Sequence, residues 1–116
     1  MRWWTHLYTG DRASRRGGAL LQKIAEEKFL PDTYVITPAV YGHHLLDIRP
    51  AGLLTGAEKA DPDFLVLGVA CGYGEAKEVV RRMVEDMYRD TGGFDWNAYM
   101  ASLDGDGGDT GRQMGE

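Results

Sequence analysis

The run Asp63 to Cys71, DFLVLGVAC, constrains the fold more than any other part of the chain. After its leading aspartate it does not alternate between apolar and polar residues. Such a run belongs to a central strand covered on both faces. Gly72-Tyr73-Gly74 then turns the chain into a helix, Glu75 to about Thr91. Ala76, Val79, Val80, Met83, Val84, Met87 and Tyr88 recur there at i, i+3, i+4, i+7, which predicts one apolar face. Glu78–Arg82, Arg81–Glu85 and Glu85–Arg89 stand at i,i+4 on the outer face, and Gly92-Gly93 supply the C-terminal stop.

Upstream, Arg2 to Thr9 (RWWTHLYT) is aromatic and β-branched and stops at Gly10-Asp11, which predicts a first strand. Trp4, His6 and Tyr8 share one face; Trp3, Thr5 and Leu7 share the other. One helix is expected from Arg12 or Arg15 to Phe29, capped by Asp11 or Ser14. Thr33 to Val40 and Leu45 to Arg49 form two further strands around the turn Tyr41-Gly42-His43-His44. In the second of these, Leu46 and Ile48 face inward and Asp47 and Arg49 outward. Leu53-Leu54-Thr55 extends that strand or forms an edge piece, and Gly56 to Pro62 is an exposed loop. A last helix runs from Asp95 to about Leu103, with Asp95 as N-cap and Phe94 and Tyr99 as a hydrophobic staple.

The expected fold is α/β (or α+β): a mixed four- to five-stranded sheet with two main helices, order β-α-β-β-β-α-α. The β-α-β unit at the start is long enough for a crossover to a parallel neighbour. Two main helices are few for a sheet that is dry on both faces. Either they split between the faces or a second subunit covers the remainder, and a homodimer is the expected resolution.

Residues 1–103 make one domain. Residues 104–116 (DGDGGDTGRQMGE) carry a net −3 of the chain's −5 and one large apolar side chain, Met114, so a disordered acidic, Gly-rich tail is expected. Cys71 is the only cysteine, which excludes an internal disulfide. The start lacks an unbroken apolar leader, and no stretch is long and apolar enough to span a bilayer, so a cytoplasmic protein is expected. A mildly acidic body is a poor ligand for duplex nucleic acid. The spacing asks for neither a cofactor nor a metal. Asp104 to Asp109 fails the calcium-loop frame, because Asp109 stands where glycine is required.

Two turns carry the candidate ligand site. Gly72-Tyr73-Gly74 lies where a strand's carboxyl end meets a helix start, although Lys77 occupies the third glycine position of a dinucleotide fingerprint. The loop Gly10 to Gly18 holds Arg12, Arg15 and Arg16, whose guanidinium forks suit phosphate or carboxylate. If the first and central strands are parallel neighbours, both turns open on one rim. Arg12, Arg15, Arg16, Gly72, Tyr73 and Gly74 would then bind a small anion, as a binding or regulatory module does. One alternative is a small enzyme using Cys71, a thiol at a helix start, or His43/His44. The other is a module binding a different protein through an apolar sheet face.

The segments LLDIRPAGLL (45–54), LGVACGYGEAKEVVRRMVEDMYRDTGGFDW (67–96) and WWTHLYTGD (3–11) resemble a family of small uncharacterised bacterial proteins of about this length. The likeness covers most of residues 3–100 and excludes the tail. It implies a free-standing bacterial domain and assigns no activity or site residue.

Overall fold

The structure, a computed structural model, describes residues 1–26, 30–39 and 45–108, with side chains to 103. The elements are β1 (Arg2–Thr9), α1 (Asp11–Arg16), α2 (Gly18–Glu26), β2 (Thr33–Pro38), β3 (Leu46–Pro50), a 3-10 turn (Ala51–Leu53), α3 (Gly56–Ala60), β4 (Leu65–Cys71), α4 (Tyr73–Thr91) and α5 (Trp96–Gly108). They make a mixed four-stranded sheet with helices, an α+β arrangement. Two compact units divide the chain, Met1–Met83 and Val84–Glu116, and the first holds the whole sheet.

The strand order is β1-β4-β2-β3. The apolar run at 65–71 is central, with six of its seven residues buried. β4 pairs with β1 in parallel and with β2 antiparallel, and β2 pairs with β3 antiparallel. The expected parallel pairing within the first β-α-β unit is therefore corrected: the parallel partner of β1 is β4. Thr9 lies opposite Val69, and Thr33 opposite Cys71, so the chain leaves β1 and re-enters as β2 at the same end of β4. A single straight helix would carry it toward the far end. Instead the expected helix is broken at Gly17, whose φ of 65° favours glycine, into α1 and α2.

Consecutive residues Val35 and Ile36 point to opposite faces of β2. On one face Val35 joins Ala13, Leu20, Ile24, Val66, Val69 and Cys71 in a core cluster, with Trp3 and Leu7 against it. On the other, Ile36 and Val79 of α4 close over Gly68, where an added Cβ would lie 3.2 Å and 3.4 Å from their methyl groups. The helices thus split between the faces. Over β2 and β4 the cover comes from within the chain, and the shortage that argued for a second subunit does not arise there.

Both sheet edges are irregular or short. Between Trp3↔Val66 and Tyr8↔Gly68 the register shifts, so Trp4 to Leu7 stand against Leu67 alone. Trp4 still packs with His6 and Tyr8, at ring-centroid distances of 5.3 Å and 6.4 Å, on the expected common face. β3 is half-buried on both faces and ends at Pro50. Asp47 and Arg49 are not simply outward, because α3 covers their side: Glu58 takes both Arg49 Nη1 (2.6 Å) and Nη2 (3.0 Å). The expected loop at 56–62 contains that helix, started by a capping box between Thr55 and Glu58. No fifth strand forms among the described residues.

In the second unit Asp95 Oδ1 accepts the Ala98 N–H at 3.1 Å, as an N-cap does. Phe94 stacks on Tyr88 and Tyr99 packs on Trp96, both at 5.1 Å, where a Phe94–Tyr99 staple was expected. α5 runs to Gly108, past the expected end at Leu103. Composition reports how little 104–108 can bury; it does not decide whether a helix's own backbone bonds propagate. The rest of the expected tail, 109–116, lies outside the described residues, as do the turn residues His43 and His44.

Gly68→Ala puts a methyl group between Ile36 and Val79. It is expected to lower unfolding free energy by about 1–3 kcal/mol, read as a fall in the urea midpoint with an unchanged slope.

Candidate functional site

Parallel pairing sets the carboxyl ends of β1 and β4 side by side, so the two turns do share a rim. The ladder extends one residue past β1, with Gly10 N–H donating to Val69 O at 3.0 Å, before the chain turns into α1. α1 starts on Gly10 with no side-chain cap; neither Asp11 nor Ser14 fills that role. Its first-turn N–H groups would be orphaned. They are capped from another element. Arg12 N–H donates to Glu75 Oε1 at 2.9 Å and Ala13 N–H to Glu75 Oε2 at 3.2 Å. The same Oε2 accepts Cys71 N–H at 2.8 Å, at the end of β4.

Two glycines make room for this tie. A Cβ on Gly10 would fall on the Glu75 carboxyl group, and one on Gly72 would fall on the Arg12 guanidinium. Gly72 also has φ of 97° and donates its N–H to Asp32 O at 2.6 Å. Arg12 reaches back across the rim, with Nη2 donating to Cys71 O at 2.5 Å and Nε to Glu75 Oε1 at 3.4 Å. Its side chain remains 61% exposed, against 11% for Glu75. Burial pushes the Glu75 pKa up, but the N–H groups of Cys71, Arg12 and Ala13, with the Arg12 side chain, pull it down. The balance holds it below the ordinary value of 4.5.

The predicted residues meet unequally. Arg12, Arg16 and Gly72 converge, Arg16 through Nη1 at 3.8 Å from Cys71 Sγ. Arg15 is exposed and has no ion pair among the described residues. With the helix broken at Gly17, Arg15 and Arg16 occupy the last turn of α1, where cations suit the helix dipole. Tyr73 turns away from the arginines, edge-on to Tyr34 at 5.7 Å and with Lys77 Nζ 5.3 Å from its ring centre. Gly74 has no neighbour that would exclude a side chain. Cys71 is 7% exposed, so its thiol is buried.

Sequence reasoning missed two members of the rim, Glu75 and Arg82. The i,i+4 rule assigns Arg82 to Glu78, but Glu78 pairs with Arg81 at i,i+3. Arg82 instead donates Nη2 to Thr9 O at 2.9 Å, at the end of β1. Its Nε is buried without an acceptor among the described residues. A concavity of about 310 Å³ lies between α1 and α4, lined by Gly10, Asp11, Arg12, Glu75, Glu78, Val79 and Arg82. Its guanidiniums suit a carboxylate or phosphate, while the backbone N–H groups beside it are already taken by Glu75.

Among the described residues no three of His, Cys, Asp or Glu gather to hold a metal ion. None of the described helices is long and apolar enough to cross a membrane. Compared with models of known families, with curated proteins and with solved structures, the chain gives no match.

Because the folded pKa of Glu75 is depressed, its contribution to stability is present above about pH 4.5 and is lost as pH falls through the lower folded value. Glu75→Gln is expected to cost about 1–3 kcal/mol at pH 7. In urea unfolding across pH, the gap between wild type and variant should narrow below pH 4.5.

Proposed function

We propose that this protein is a small cytoplasmic binding or regulatory module. It recognises a phosphate- or carboxylate-bearing small molecule at the rim shared by its two strand-to-helix turns. The observation that carries this reading is the concavity between α1 and α4, with Arg12 and Arg82 in its wall. Arg82 has no acidic partner within ion-pair distance among the described residues, and its Nε lacks an acceptor. Guanidinium groups present their donors as a fork that matches carboxylate and phosphate oxygens.

The recognition is therefore by side chains. The nest of backbone N–H groups at the start of α1, which could otherwise hold an anion, already has Glu75 in it. Arg12 is both a strut and a ligand group, since it stays largely exposed while bonded to Cys71 O and Glu75. Arg16 and Gly72 support the rim from behind through Cys71 and Arg12.

Thermal unfolding against inorganic phosphate, nucleotides and small mono- and dicarboxylates tests the proposal. A ligand at 100 times its Kd should add about 2.7 kcal/mol of stability, and Arg82→Gln should remove most of that gain. A flat response across the panel would contradict it.

A further inference from the structure

We infer that the ligand of this rim is a zwitterion, a small amino acid or ω-amino acid, with its carboxylate on Arg82 and Arg12 and its ammonium on Asp11. The inference rests on the binding reading above and narrows it. It follows from matching the charges that line the concavity. Glu75 is spent on three backbone N–H groups and Arg12 Nε. Glu78 is spent on Arg81. Arg12 is bonded to Glu75 and Cys71 O.

Two charges remain without an ion pair inside 4.0 Å among the described residues, the cation of Arg82, which Glu78 reaches only through space, and the anion of Asp11. Both line the same space, yet they form no ion pair with each other within 4.0 Å. A simple anion on Arg82 would also face the Asp11 carboxylate and be repelled by it. A molecule carrying both charges satisfies the two groups at once, and its second contact turns a repulsion into an attraction. A concavity of about 310 Å³ is at the small end of ligand pockets, the size for a single amino acid rather than a dinucleotide.

Asp11 is exposed in the first turn of α1 and takes no part in capping it, so Asp11→Asn leaves the described hydrogen bonds of the rim intact. Isothermal titration of the full chain would compare each amino compound with its counterpart lacking the amine: glycine with acetate, leucine with 4-methylpentanoate, γ-aminobutyrate with butyrate. Inorganic phosphate is titrated alongside. At least one amino compound should bind ten times more tightly than its counterpart or better, and Asp11→Asn should collapse that ratio to about one. Equal binding of a pair's two members, or binding of phosphate and carboxylates alone, would overturn the zwitterion and leave the anion reading standing. A preference unchanged in Asp11→Asn would overturn the role of Asp11. Binding by none of the probes, phosphate included, would overturn both readings.

Discussion

The Glu75 carboxylate ties three pieces of chain together at one point. It sits in the first turn of α4 and receives N–H groups from the end of β4 and from the start of α1. α1 has six residues, begins on an uncapped glycine and is too short to persist alone. With Glu75 in place its first turn is satisfied, and Arg12 is turned back onto Cys71 O. The demands on Gly10 and Gly72 follow from the same tie, since each leaves space for a charged group passing beside it. The Gly72 turn is thus built around an internal anion.

That arrangement decides what chemistry the rim has left. A strand-to-helix junction ordinarily offers free backbone N–H groups and the positive end of a dipole to an incoming anion. Here the chain fills that place with its own carboxylate. What remains are guanidinium groups at the wall, held at their inner ends by carbonyl oxygens of Thr9 and Cys71. Those two carbonyls lie at the carboxyl ends of the neighbouring parallel strands, so the sheet itself sets the positions of the two arginines.

Much of the frame could be read from residues alone. The unbroken apolar run identified β4 as central. The i, i+3, i+4 stripe located α4, although only Ala76, Val79, Met83 and Met87 of that stripe are fully buried. The shared rim followed from placing the first and central strands side by side. The direction of β2 did not, because it depends on the path of the connecting chain, and Gly17 gave no sign that it would break the helix rather than merely weaken it. Thr55-Gly56-Ala57-Glu58 is a legible capping box, although the composition of 56–62 alone suggests a loop. Glu75 and Arg82 were missed for a common reason. Local rules assign an acid in a first turn to the dipole, and an i,i+4 acid–base pair to each other. Here partners 62 or more residues away in sequence claimed both side chains, with the nearby Cys71 N–H joining them on Glu75.

Titration of the Glu75 side-chain carboxyl by carbon-13 NMR, with the backbone amides followed in the same samples, tests the tie most directly. The account predicts a midpoint below 4.5, reported at that same pH by the amides of Arg12, Ala13 and Cys71. A midpoint at or above 4.5, or three amides that ignore the titration, would contradict it.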